Sequence, residues 1–525
     1  MSGWSTRRDP GIGRSTIRAA VATALAVGIG LGASDEGRTM TKTTTRKPGE
    51  IATSLLPSPQ SPLVEFRVQF HVGSIEDPKG REGLNALTAM MIGEGGTQSL
   101  TYREVTDRLY PMAAGIGAQP DREVTTLIGA VHRDHLAPFY EIFSDVILRP
   151  RFDPADFSRI KDRMLAALET QLRGNDDENL GKAALEGLIY EGHPYGHLEL
   201  GTIHGLKAIT LDDVKGHYRK YYTRDRLVLG VGGGYPKGLI DTAKKDLAAL
   251  AAAGPQRGPL PAPRLLEGMN VLIVDKPAPA TAVSIGHPIK VTRSDKDFYA
   301  LMVANSYLGE HRTFNGRLMN KMRGERGLNY GDYSYIENFI QEGGSHFPQT
   351  SIPRRQQHFS VWIRPVAPAN TLFAVRQAVR EVQMLIDKGM TREDFEATRK
   401  YLLNYSRLWT QSIGRRLGYQ LDSQYYGTAF FIDRIQQELS KLKVEDVNAA
   451  VKRHLSARNL AIAIVTDDAA GVRDRLLSGA PTPITYQTPT TSEVLLKEDK
   501  EIEAWPLPVE AARVRVVPAR EMFER

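Results

Sequence analysis

FHVGSIEDPKGREGLNALTAMMIGEGGT, residues 70–97, decides how this chain is read. Leading into it is VEFRVQFHV, residues 64–72, whose alternation of apolar and polar side chains predicts a strand. Gly, Pro and Asp then make a turn. From Gly83 the apolar spacing becomes helical, with Leu84, Leu87 and Met91 on one face. Ala86, Ala89 and Met90 lie on the other sides, so the helix is apolar nearly all round and is expected to be buried.

Outward from this stretch, size and composition set bounds. The chain has 525 residues, 41% hydrophobic and 25% charged, the composition of a folded globular protein. Its net charge of +7 is spread along the chain, with acidic residues among the basic ones. A nucleic-acid partner would need a basic stripe or a recognised module, and neither is present. There is no Cys, which excludes disulfides, thiolate metal sites and thiol catalysis. Arg7, Arg8, Arg14 and Arg18 precede the apolar run Ala19 to Ala33. This is the pattern of a secretory signal over residues 1–33, and it points to a periplasmic or secreted, envelope-associated protein. No later stretch reaches transmembrane length.

In chain order, residues 34–61 read as a Thr/Ser/Pro-rich linker. A first folded half runs from 62 to 252. Thr101 or Ser99 caps a helix at Tyr102–Leu109, and residues 113–131 make two strands around a polar turn at Asp121-Arg122. A helix follows from His135 to Ile147. Asp153-Pro154 opens another, with Phe157, Ile160, Met164, Leu168 and Leu172 along one face. Thr210 and Asp213 form a capping box, and RLVLGVGGG, residues 226–234, is a buried strand. A Pro/Gly-rich break at 253–268 separates a second half, 269–480. LKAITLDDVKGHYRKYYTRDRLVLGV from Leu206 aligns with LSKLKVEDVNAAVKRHLSARNLAIAIV from Leu439 at a constant offset of 233, and Asp156-Phe157 matches Asp394-Phe395. The chain is therefore a duplicated α/β unit. Residues 481–525 read as an extended tail.

The strand–turn–helix around residue 86 resembles the pitrilysin/insulinase family of zinc peptidases, the inverzincins. Their helix carries H-x-x-E-H, two His ligands to zinc and a Glu general base. Here those positions are Ala86, Leu87, Thr88, Ala89 and Met90. Ala, Thr and Met are not the His, Cys or carboxylate donors that hold zinc. The position of the family's third ligand falls near Ala166-Ala167, and the nearest carboxylate, Glu169, is about 200° away around the helix. Other His pairs, His132 with His135 and His193 with His197, lie in non-helical stretches and read as surface, capping or loop-structural residues.

FNGRLMNKMRGERGLNYGDYSY, residues 314–335, is similar to a second family motif, R-L-x-x-x-L-R-E-x-x-G-L-x-Y. Arg317, Leu318, Arg323, Gly327, Leu328 and Tyr330 match; the acidic residue comes one place late, at Glu325. In related peptidases the Arg and Tyr hold the substrate backbone and the tetrahedral intermediate, roles that map to Arg323 and Tyr330. The glycine runs at 93–97 and 230–234 lack the ending of a phosphate loop and read as turns.

The resemblance implies an α+β fold of two homologous halves, each a mixed β-sheet packed with α-helices, closed like a clam shell around extended peptide. It implies a non-catalytic subunit of a heterodimeric zinc peptidase. In this role the chain has no cofactor of its own, a homologous partner carries the zinc, and Arg323 and Tyr330 reach toward it. Two alternatives remain open at this stage: a structural scaffold of the same fold, and a metallopeptidase with displaced ligands.

Overall fold

The structure is a computed structural model that describes residues 50–341, 346–488 and 492–525. The basic–apolar segment 1–33 and the first part of the expected linker lie outside the described residues. Among the described residues no helix is long and apolar enough to cross a membrane.

Each half is built on one mixed sheet. The first holds β1 (Ala52–Pro57), β2 (Leu63–Phe70), β3 (Gly115–Pro120), β4 (Thr125–His132) and β5 (Leu227–Gly233), in the order β1-β5-β2-β4-β3. Val64, Phe66, Val68 and Phe70 of β2 are buried, as its alternation requires. The second sheet holds β6 (Met269–Asp275), β7 (Thr281–Ile289), β8 (Asp332–Tyr335), β9 (Gln357–Val366), β10 (Leu460–Thr466) and β11 (Val514–Pro518), in the order β11-β6-β10-β7-β9-β8. Apart from β11 the two orders correspond strand for strand. β5 and β10 each lie between a parallel and an antiparallel neighbour.

The helices that matter here are α1 (Leu84–Glu94), α2 (Pro154–Ala166), α3 (Asp177–Ile189), α4 (Leu211–Tyr221), α5 (Lys296–Gly309), α6 (Arg392–Leu408), α7 (Ile413–Tyr425), α8 (Val444–His454) and α9 (Glu493–Glu503). Shifting α4 and β5 by 233 residues gives the observed limits of α8 and β10. Thr101, Asp153 and Thr210 cap their helices as expected, and Thr391 does the same for α6, the counterpart of α2.

Four expectations are corrected. Residues 52–57, read as linker, form β1, paired in parallel with β5. An edge strand is held by backbone hydrogen bonds that a side-chain pattern does not reveal. The tail is not simply extended: residues 493–503 form α9, and β11 adds to β6 on this same chain. Gly230 and Gly232 lie in β5, as the reading of residues 226–234 as a buried strand requires, and not in the turn also expected of the glycine run. A Cβ on Gly232 would stand 2.7 Å from Ile413 Cγ2, and one on Gly230 would stand 3.0 Å from Leu421 Cδ1, so their bareness lets α7 approach. The polar turn Asp121-Arg122 is buried.

The last two corrections share a cause. α7, from the second half, packs on β1, β2 and β5 of the first sheet, while α3, from the first half, packs on β7 and β10 of the second. Along this seam Arg354 meets Asp121 at 2.8 Å and Glu199 at 2.7 Å. Arg122 meets Glu186 at 2.6 Å and Glu199 at 3.1 Å. Arg257 bridges Glu76 and Glu123, both at 2.9 Å. Burial opposes the Arg354 charge, but the carboxylates of Asp121, Glu199 and Glu186 outweigh it and raise its pKa well above the ordinary value.

Removing one partner of such a pair leaves a buried charge uncompensated. Arg354→Met is expected to cost about 3–5 kcal/mol of stability, read as a lowered urea midpoint. A change below about 1 kcal/mol would place the pair among weak surface bridges.

Candidate functional site

Helix α1 begins at Gly83, whose φ of 103° and 2.6 Å clearance from Leu200 O to an added Cβ exclude a larger residue. The Asp77 carboxylate caps the helix, accepting from Gly83 N and Asn85 N at 2.7 Å each. Burial pushes the Asp77 carboxyl well above the usual range, against the pull of those two bonds. This cap comes from outside the helix and was not seen in the sequence.

At the family's metal-ligand positions, Ala86 and Ala89 have no exposure and Met90 is half-buried. Ala86 belongs to the same apolar cluster as Leu87, Met164 and Leu168. Thr88, the only polar residue of the five, donates to Leu84 O of its own helix at 2.8 Å. Glu169 is exposed and faces Lys207 at 3.5 Å. These residues do not fit a zinc ion, because no side-chain donor is offered to it. Among the described residues no group of three or more His, Asp or Glu could hold a metal. His217 approaches α1, with Nε2 3.4 Å from Asn85 Oδ1, but burial holds it neutral, with its pKa down to about 3. His132 accepts from Asp134 N. His193 accepts from Tyr195 N and donates to Pro261 O. His197 bonds Leu198 O, and His135 is an exposed surface residue.

The second motif has a different character. Leu318, Met322 and Leu328 anchor it in the core, and Arg317 pairs with Glu381. Residues 319–324 form a wide π-turn in which Glu325 N donates to Asn320 O at 2.8 Å. Glu325, the displaced acid, meets Lys321 at 2.9 Å and Arg326 at 3.4 Å. Arg323 and Tyr330 are brought together: the guanidinium carbon lies 4.5 Å from the Tyr330 ring centre and 5.1 Å from that of Phe314. Arg364 approaches the same Tyr330 ring at 5.5 Å. Tyr330 is 68% exposed and Phe314 65% exposed. Two exposed rings and two half-buried cations, of which Arg364 also pairs with Glu178 at 3.3 Å, thus stand beside Asp332, whose carboxyl is pushed up to about 8 by burial despite Asn329, Arg323 and Arg364. Phe314, Arg364 and Asp332 were missed in the sequence as members of this cluster; Phe314 and Asp332 lay inside the quoted motif, whereas Arg364 comes from a distant strand.

Lys321 and Arg326 also reach α9. Glu498 meets them at 3.2 and 2.9 Å, and Asp499 meets Arg326 at 2.8 Å. The tail therefore braces the segment that carries Arg323.

A duplicated sheet-and-helix fold with an apolar helix at the metal position and a half-buried Arg stacked on an exposed Tyr defines a class: zinc-peptidase-like proteins without the zinc site. Residues 54–191 match the family described as Insulinase (Peptidase family M16), and residues 208–402 match its "Peptidase M16 inactive domain". The chain belongs to this family. It is 25% identical over 409 residues to "Non-peptidase homolog YmxG" of Helicobacter pylori, covering 77% of this chain and 89% of that protein. A Pseudomonas fluorescens structure described as a peptidase M16 inactive domain superposes with a TM-score of 0.70 at 21% identity, over 81% of this chain and 98% of the other. A chain of Complex III2 from Candida albicans superposes with a TM-score of 0.63 at 14% identity, over 79% and 93% of the two chains. These two superpositions speak to fold.

Two outcomes follow. Ala86→His is expected to overpack the core and cost about 1–3 kcal/mol. The triple variant Ala86→His/Ala89→Glu/Met90→His is expected to show one urea midpoint with zinc and with chelator; a zinc-dependent rise would reveal a third ligand nearby. Separately, the folded state holds the Asp332 proton up to about pH 8, whereas the unfolded chain releases it near about 4. The native state binds more protons between these values, so this residue's contribution to stability falls as pH rises through that window. Asp332→Asn should flatten the slope of stability against pH, and an unchanged slope would refute the assignment.

Proposed function

We propose that this chain is the non-catalytic subunit of a two-chain zinc peptidase. A homologous partner carries the zinc, and extended peptide lies between the two chains. Arg323 and Tyr330 face the partner's site, where a guanidinium fork and a phenol donate to the peptide backbone and to the oxyanion that develops on it. The chain itself contributes no metal and no general base. Its basic–apolar N-terminal segment directs it to the periplasm or beyond, where it works at the envelope.

The observation that carries this reading is the contrast between the two motifs. The helix at the metal position is sealed with methyl groups, while the Arg323–Tyr330 stack stays at the surface. Tyr and Arg are among the side chains that most often carry binding energy where a partner covers a surface. The clasped seam between the halves supports the same reading, since it leaves a second chain, rather than the chain's own opening, to complete a peptide chamber.

The test is reconstitution with a zinc-motif homologue recovered from native extract. Arg323→Ala is expected to lower kcat of the pair about 100-fold, the scale of losing one oxyanion donor, and Tyr330→Phe is expected to lower it as well. Equal rates for wild type and both variants would overturn the roles. Recovery in a membrane complex with no zinc-motif partner would favour a scaffold.

A further inference from the structure

α5 follows β7 as α1 follows β2, so the two helices are counterparts. α1 ends in Gly93-Glu94-Gly95-Gly96-Thr97, and α5 ends in Gly309-Glu310-His311-Arg312-Thr313. Both turns enter the left-handed region at the same place, Gly96 with φ 74° and Arg312 with φ 55°. For Arg this is a strained conformation, kept although glycine has gone. The acids differ in company. Glu94 is paired with Arg163 of its own half at 2.6 Å. Glu310 has no such cation among the described residues. Burial pushes its carboxyl up to about 7, with only a hydrogen bond from Ser306 to counter it.

Glu310 and His311 line a cavity of about 60 Å³, together with Asn305, Tyr335, Trp409 and Phe431. No Lys or Arg is among its lining residues. Its second carboxylate, Glu337, is held by Arg293 in a two-pronged pair at 2.9 Å. Three buried polar atoms of its lining residues have no hydrogen-bond partner among the described residues: Asn305 Oδ1, His311 Nε2 and Trp409 Nε1. His311 is 2% exposed and Trp409 3%. Buried polar atoms left unpaired in this number mark a site that takes a polar guest.

We propose that this cavity is a subsite for a primary ammonium group, the chemistry carried by a small alkylamine or by a lysine side chain. The three N–H donors of an ammonium match the Glu310 carboxylate, Asn305 Oδ1 and His311 Nε2. His311 is neutral, held down to about 3 first by burial and then by the charges of Arg312, Lys182, His346 and Arg364 around it. Its Nδ1 lies 2.7 Å from Tyr335 OH; in the tautomer that takes an ammonium, Nδ1–H donates to the phenol and the Nε2 lone pair accepts. The aromatic lining supplies π-systems that favour a cation, and the cavity of about 60 Å³ has room for methylammonium. Trp409 Nε1, a donor, is not matched by an ammonium and lies outside the proposed set. In the first half Arg163 supplies the cation that Glu94 needs; in the second half the ligand supplies it. None of this depends on a partner chain.

The test is calorimetric titration of the whole protein with methylammonium chloride, against acetamide and sodium chloride. Methylammonium is expected to bind and acetamide of similar size is not. Glu310→Gln is expected to weaken methylammonium at least tenfold without lowering the thermal midpoint, and Asn305→Asp to tighten it. Equal binding of methylammonium and acetamide, or no loss in Glu310→Gln, would overturn the proposal. A lysine-containing peptide that displaces methylammonium, where its norleucine counterpart does not, assigns the ammonium to a side chain. Displacement by neither assigns it to a free amine.

Discussion

Across the seam between the halves, the Arg354 guanidinium is held by Asp121 and Glu199 within 2.8 Å, with almost no exposure to solvent. A charge in that position exists only because carboxylates from the other half are there to meet it. The same seam is closed by exchange: α3 leaves the first half to cover the second sheet, and α7 returns the cover. Glycines of β5 give α7 its place. The chain is in this way one body with two sheets. The positions of both motifs follow from how that body is locked.

Duplication supplied two copies of each element, and the copies have diverged in chemistry more than in shape. Around α1 the polar residues of a metal site are replaced by methyl groups and a thioether, and the helix has become core. Around α5 the equivalent turn carries His311 and Arg312, and among the described residues Glu310 has no counterpart of the arginine that pairs with Glu94. The tail adds features without counterpart in the first half. β11 extends the second sheet, and α9 braces the turn that carries Arg323 through Glu498 and Asp499.

Local patterns were legible wherever a residue's role is set by its neighbours in sequence. The caps at Asp153 and Thr210, the alternation of β2 and the apolar spacing of α1 and α2 each draw on residues a few positions apart. Edge strand β1 was not legible, because backbone pairing leaves little trace in side-chain pattern. Helix α9 was misread because EVLLKEDKEIE carries its apolar residues sparsely, and the charges that fasten it belong to Lys321, Arg326 and Arg380 far away.

By itself the sequence determined the duplicated plan, the family, and the absence of metal donors at residues 86, 89 and 90, since each depends on residue identity and spacing alone. Only the tertiary structure decided that Asp121 and Arg122 are buried, that β5's glycines receive a helix, that Arg323 meets the rings of Tyr330 and Phe314, and that Glu310 has no paired cation among the described residues. Each of these depends on what lies opposite a side chain after folding. Burial then settles whether a charge is kept, paired or suppressed, because the cost of holding it is set by the surroundings that the fold assembles.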